Sequence, residues 1–135
     1  MSIPTSTSEY LLLFRGVDWD KGLSPEQIQQ VMSQVMAWFD GLNRQGKVKG
    51  GHPLGEEGRT ISGQNGRTVA DGPFPESKEA IGGYLLLQAN DLNEATAIAK
   101  TFPKLDYGTT VEVRPVAEEC PVFQRARLQL IQGTA

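Results

Sequence analysis

Residues 24–42 read SPEQIQQVMSQVMAWFDGL, and this stretch decides the fold because it contains the clearest helix in the chain. Ser24 can accept a hydrogen bond from the backbone amide of Gln27, and the Gln27 side chain can accept one from the backbone amide of Ser24. The two residues thus form a capping box. Pro25 suits the first helical position, because its missing N–H would be unpaired there anyway. Apolar residues then recur at helical spacing, at Ile28, Val31, Met32, Val35, Met36, Phe39 and Leu42. The stretch predicts an amphipathic helix of about 20 residues. Gly46 is predicted to end this helix by adopting the left-handed conformation of a C-terminal cap.

Shorter patterns on both sides of this helix complete the order of elements. Apolar or alternating runs predict strands at residues 10–15, 47–54, 81–89 and 109–116, a hairpin within 58–69, and a second helix from Asp91 to Pro103. The order βαβ, hairpin, βαβ predicts an α+β fold, a ferredoxin-like split βαβ sandwich with both helices on one face of one sheet. The other face of that sheet lacks a cover from the chain itself, so we expect a partner there.

The length of 135 residues indicates one domain. Residues 1–8 are rich in Ser and Thr and lack periodicity, and we expect a flexible N-terminal tail there. The domain is predicted to span residues 9–117. Residues 118–135 are expected to form a C-terminal arm, as a short helix or an extended segment, that covers a dimer edge.

Charge and cysteine content exclude several classes of protein. The net charge of −3 offers no basic stripe, so nucleic acid is not expected as a partner. The apolar runs are too short for a membrane helix, so no membrane contact is expected. Cys120 is the single cysteine, which excludes an internal disulfide and a multi-thiolate zinc site. A cytoplasmic protein is therefore predicted.

Several short motifs along the chain resemble those of a known family. The motif Asp71-Gly72-Pro73-Phe74 precedes Glu76, Lys78 and Glu79 and then Gly82-Gly83-Tyr84, and further matching stretches lie at residues 10–13, 23–26, 50–54, 107–108 and 111–116. In this order and spacing, over about residues 9–117, the chain resembles the YCII-related family, in the branch named for its DGPF motif.

The resemblance implies a ferredoxin-like domain that dimerises through its sheets into a dimeric α/β barrel, in agreement with the uncovered face. The wider superfamily includes small isomerases, monooxygenases and dye-type peroxidases with pockets between sheet and helices. The DGPF branch is often encoded beside extracytoplasmic-function sigma factors. In better described YCII proteins a helix histidine paired with an aspartate has been proposed as catalytic, but the comparable stretch here, near Gln34 and Val35, has no histidine. This departure argues against transfer of that mechanism.

Two residues are the catalytic candidates. Asp71 either folds its turn through backbone amides or acts as a proton acceptor that Lys78 keeps ionised. His52, the single histidine, is either a general base or a strand-end residue that hydrogen-bonds a neighbouring loop. Because there is only one histidine, a metal site would need carboxylates as its other ligands. Neither a metal nor a cofactor is predicted.

Lys78, Tyr84, Glu112 and Arg114 are the candidate ligand-binding residues. Glu112 and Arg114 share a strand face by period-two spacing, and Tyr84 follows two glycines that either make room for a ligand or relieve crowding. Trp19 and Trp38 either line a pocket or pack. The first hypothesis is a homodimer that binds a small molecule between sheet and helices, with acid/base catalysis of an isomerase-like kind. The alternative is a non-catalytic dimeric regulatory or interaction protein linked to sigma-factor signalling.

Overall fold

The computed structural model describes residues 8–16, 18–71 and 80–133. The elements in chain order are strand β1 (Ser8–Arg15), helix α1 (Pro25–Arg44), strands β2 (Val48–Pro53), β3 (Arg59–Ser62), β4 (Thr68–Asp71) and β5 (Ile81–Ala89), helix α2 (Leu92–Ala99), strand β6 (Thr110–Pro115) and helix α3 (Pro121–Gly133). Short 3-10 helices lie at Gln64–Gly66 and Pro103–Tyr107. The predicted N-terminal tail, apart from Ser8, lies outside the described residues.

The four long strands form one antiparallel sheet in the order β2-β5-β1-β6, and β3 pairs with β4 in a separate two-stranded sheet. This order is that of the ferredoxin-like fold, and the predicted α+β class is confirmed. Among the described residues, no helix has the length and apolar character that a membrane crossing requires.

The ends of α1 follow the chemistry predicted for them. The Gln27 amide donates to Ser24 Oγ at 3.2 Å, and the Ser24 amide donates to Gln27 Oε1 at 2.8 Å. Gly46 adopts a φ of 72°, which glycine tolerates without steric cost, and its N–H donates to the Asn43 carbonyl. These contacts satisfy backbone groups at both ends of the helix.

The core lies between helices α1 and α2 and one face of the four-stranded sheet. Strand alternation turns Tyr10, Leu12 and Phe14 of β1 towards the helices, and Leu85 and Leu87 of β5 lie beside them. The core is completed by Val31, Val35, Leu42, Ala89, Ala95, Ala99 and Phe102. Because α1 and α2 both lie on this face, the opposite face, which we call the open face, carries the intervening residues of each strand.

Helix α3 differs from the other helices because each of its residues is exposed. Val122, Phe123, Leu130 and Ile131 are large apolar side chains on this helix that are each more than half exposed. An ion pair of 2.7 Å between Arg127 and Glu119 ties the helix to the segment before it. The predicted C-terminal arm is thus helical.

Candidate functional site

A cavity of about 700 Å³ lies between α1 and the sheet. The apolar side of α1, the end of β1, strand β2, the start of β5 and the connection between α2 and β6 all border it. Its size falls in the range typical of small-molecule sites, roughly 300–1,000 Å³. It is therefore the candidate functional site.

Most of the cavity wall is apolar and aromatic. The apolar side chains that border it are Phe14, Trp19, Met32, Val35, Met36, Phe39, Val48, Leu54, Leu85 and Phe102. Four of them come from α1, at the three- and four-residue spacing that puts side chains on one face of a helix. The rings of Phe14 and Phe102 lie 4.5 Å apart, and those of Phe14 and Phe39 lie 6.3 Å apart. These packed rings make a rigid wall.

Two glycines let β2 and β5 approach closely at the cavity border. A Cβ atom on Gly51 would lie 2.7 Å from the Tyr84 carbonyl oxygen, and one on Gly83 would lie 3.1 Å from the His52 carbonyl oxygen. The neighbours in both cases are backbone atoms, which cannot move aside cheaply. The glycines therefore serve the pairing of the strands.

Two polar residues border the cavity where the 3-10 helix Pro103–Tyr107 leads into β6. Lys104 is half-buried, and its Nζ lies 4.6 Å from the ring centre of Trp19. Burial lowers the pKa of Lys104, an effect larger than the opposing attraction of Asp20. The buried Thr109 borders the cavity beside it, and its backbone N–H donates to the Lys104 carbonyl at 3.3 Å.

The side chain of Thr109 is an exception to the rule that buried polar groups are paired. The residue is 5% exposed, and its Oγ1 has no hydrogen-bond partner among the residues that the structure describes. A buried hydroxyl without a partner costs roughly 1–3 kcal/mol. Thr109 borders the cavity, but its Oγ1 is buried and does not face a molecule that enters it.

His52 and Tyr84 border the same cavity, but their side chains belong to the open face. They are directly opposed in the pairing of β2 with β5, and their rings lie 5.9 Å apart. Tyr84 in turn faces Leu13 of β1, which alternates with the buried Leu12 and Phe14. The imidazole and the phenol therefore lie on the side of the sheet away from the helices.

Glu112 and Arg114 also lie on the open face. Glu112 is directly opposed to Leu13, so the register aligns His52, Tyr84, Leu13 and Glu112 in one row across the sheet. Arg15 donates from its Nε at 3.3 Å and a terminal nitrogen at 3.0 Å to Glu112 Oε1, and a terminal nitrogen of Arg114 lies 3.7 Å from Oε2. The Glu112 carboxylate is thus held between two arginines.

Of the two remaining predicted site residues, Asp71 does not border the cavity and Lys78 lies outside the described residues. Asp71 ends β4 in the two-stranded sheet, where its Oδ1 lies 3.2 Å from Arg59 Nε. Lys78 and residues 72–74 of the DGPF motif lie outside the described residues. In the described ranges no group of three or more His, Cys, Asp or Glu side chains is placed to hold a metal ion.

Sequence reasoning did not single out Lys104 and Thr109. A signal for Lys104 exists, since a lysine between Phe102 and Leu105 is a charge in an otherwise apolar run that follows a helix. Trp19 was expected either to line a pocket or to pack, and it borders the cavity. Trp38 packs against Phe102 and donates from its ring nitrogen to Thr101 Oγ1 at 2.7 Å.

Comparison with known proteins places these features in context. The family model of the YCII-related domain matches residues 10–119. No curated protein matches this chain. Among solved structures, the chain is similar to the 5-chloro-2-hydroxyhydroquinone dehydrochlorinase TftG from Burkholderia phenoliruptrix AC1100, determined in complex with 2,5-dihydroxybenzoquinone. The alignment covers 82% of this chain and 95% of that one, with a TM-score of 0.47 and 15% identity.

Proposed function

The chain belongs to the YCII-related family, and from this premise we propose that it binds a small, mostly apolar molecule in the cavity between α1 and the sheet. One observation carries the proposal. The cavity of about 700 Å³ is bordered mainly by aromatic and aliphatic side chains, and its few polar groups include Lys104 and Thr109. Sites for small molecules commonly combine an apolar wall with a few placed polar groups.

The walls of this cavity support binding without a large rearrangement. Most of them come from α1 and from strands of the four-stranded sheet, which are held by the core and by the strand register. A preformed site loses little free energy to ordering when a molecule enters.

The proposal is for binding rather than for a particular reaction. His52 and Asp71, the residues predicted to transfer protons, lie in different sheets. A general base must come within hydrogen-bond reach of the proton that it removes. Asp71 does not border the described cavity wall, so the geometry offers no joint role for the pair inside it.

Binding of N-phenyl-1-naphthylamine, a neutral aromatic probe whose fluorescence rises in apolar surroundings, tests the proposal. We expect saturable binding to the wild type and an affinity at least about tenfold lower in Met36→Trp, since the indole would occupy part of the cavity. Leu92→Trp is the matched control, because Leu92 is an exposed apolar helix residue that does not border the cavity.

Two results would count against the cavity as the binding site. One is an absence of saturable fluorescence with the wild type. The other is equal binding by wild type and Met36→Trp when both give the same thermal unfolding transition, since the probe would then occupy another surface.

We also propose a homodimer formed through the open face, with α3 laid over the partner's edge. The support is the composition of this face. Leu11, Leu13 and Leu86 form a partly exposed apolar centre, with the ion pair of Arg15 and Glu112 at one side. An apolar centre with a polar rim is the usual composition of a protein interface.

A further inference from the structure

The polar end of the cavity permits a more specific statement, which rests on the proposed binding function. Two side chains meet there, the Lys104 ammonium and the ring of Trp19. They are brought together because the chain turns from the 3-10 helix into β6 beside the end of β1. A Cβ on Gly16 would lie 3.3 Å from the Gly108 carbonyl oxygen, which shows how closely these segments approach.

Lys104 brings a positive charge to the border of a mainly apolar cavity. Among the residues that the structure describes, Lys104 forms no ion pair; its neighbours are the face of Trp19 and, at longer range, Asp20. Removing an ammonium group from water without a paired anion costs free energy. An anionic group on a bound molecule would supply the missing partner.

Lys104 can offer an anionic group more than one hydrogen bond. An ammonium group has three N–H donors and no acceptor, so it suits the oxygens of a carboxylate. Thr109 also lies at this end of the cavity, but its Oγ1 is buried and does not face the cavity.

The rest of the cavity restricts the remainder of the molecule. The packed rings of Phe14, Phe39 and Phe102 suit a flat apolar body. Lys104 is the sole lysine or arginine on the described cavity wall. Glu56 also borders the cavity, and its carboxylate would repel a second anionic group on the ligand.

From this arrangement we infer that the ligand is an aromatic monocarboxylate, whose carboxylate bonds to Lys104 while its ring lies against the aromatic wall. Lys104 is the group that selects the charge of the ligand. The apolar wall binds the ring whatever its substituent.

Calorimetric titration with 2-naphthoate and 2-naphthamide tests this inference, because the two molecules share size and ring and differ in charge. We expect the wild type to bind 2-naphthoate about tenfold or more tightly than 2-naphthamide, as hydrogen bonds to charged groups are the stronger ones. In Lys104→Met the preference should fall to about twofold or less, because methionine keeps the apolar stem and removes the charge. Lys104→Arg should keep a preference for 2-naphthoate, since it keeps the charge.

Lys100→Met is the matched control, because Lys100 is an exposed lysine that does not border the cavity. It should leave both affinities unchanged.

The possible outcomes separate this inference from the proposed function. Equal affinity of the wild type for both compounds, or a preference that survives in Lys104→Met, overturns the carboxylate assignment and leaves the binding cavity intact. Binding of neither compound, together with no binding of N-phenyl-1-naphthylamine, overturns both. Binding of that neutral probe alone overturns the assignment of an aromatic monocarboxylate.

Discussion

Asp71 and Arg59 form an ion pair across the β3–β4 hairpin, with 3.2 Å between Oδ1 and Nε and side-chain exposures of 78% and 75%. Ion pairs with this exposure contribute little, because water competes for both charges. The aspartate that the sequence singled out first is thus held at the surface of the two-stranded sheet.

Asp71→Asn should change the free energy of unfolding by less than about 1 kcal/mol and leave the affinity for N-phenyl-1-naphthylamine unaltered. Chemical denaturation and fluorescence titration measure the two quantities. Arg59→Gln is the matched control, because it removes the other half of the same ion pair. A loss of probe binding in Asp71→Asn but not in Arg59→Gln would show that the carboxylate has a role beyond this pair.

Thr109→Val should raise the free energy of unfolding by about 1 kcal/mol, because it removes a buried hydroxyl without a partner and keeps the side-chain shape. Denaturation in urea measures the change.

Thr101→Val provides the contrast, since the same substitution there removes a satisfied hydroxyl. Thr101 Oγ1 donates to the Ile98 carbonyl at 2.6 Å and accepts from the Trp38 ring nitrogen at 2.7 Å. Its loss should lower the free energy of unfolding by about 1 kcal/mol. If both variants lost stability equally, the unpaired state of Thr109 would be contradicted.

The stability of the wild type relative to Lys104→Met should rise from neutral pH to about pH 10. Burial lowers the pKa of Lys104 in the folded protein, more than Asp20 raises it, whereas the unfolded chain has an ordinary lysine pKa. Between those two pKa values the unfolded chain binds more protons, so the free energy of unfolding increases with pH. The other titratable residues that border the cavity are His52, Glu56 and Tyr84. They are present in both proteins, so the comparison isolates the effect of Lys104.

Thermal unfolding of both proteins over this pH range measures the difference, which we expect to stay below about 1 kcal/mol since Lys104 is only half-buried. Lys100→Met should show a smaller pH dependence, because its ammonium is exposed. A stability difference that falls with rising pH would mean that the charged amine is favoured in the folded state.

Leu13→Glu should convert the proposed homodimer to a monomer. Leu13 lies at the centre of the open face, between Tyr84 and Glu112 in the register, and a buried charge without a partner there would oppose association. Size-exclusion chromatography with light scattering gives the mass. Leu92→Glu, on α2, should keep the wild-type mass; a monomeric wild type would rule the dimer out.

Much of the fold could be predicted from local sequence. The capping box at Ser24 and the stop at Gly46 are interactions between residues close in the chain, so their chemistry is readable without tertiary structure. The strand positions predicted from short apolar runs and, for residues 109–116, from alternation agree with the structure within a residue or two.

The site was harder to predict because its residues meet through tertiary packing. Lys104 and Trp19 are distant in sequence and adjacent in space, and no local period marks either one. Glu112 and Arg114 were expected to share a strand face, and they do, but which face meets the helices depends on the register of β6 with β1. Four of the predicted site residues, His52, Tyr84, Glu112 and Arg114, thus lie on the open face, while the described cavity wall carries a single lysine.

The connection between α2 and β6 supplies Lys104, whereas α1 and the sheet supply most of the cavity wall. In the proposed site, the group that recognises charge and most of the scaffold would therefore come from different segments of the chain. Substitution of Lys104 is then expected to change which molecules are accepted without altering strand register. A binding site divided in this way could exchange its charged group while the parts that make the chain fold stay the same.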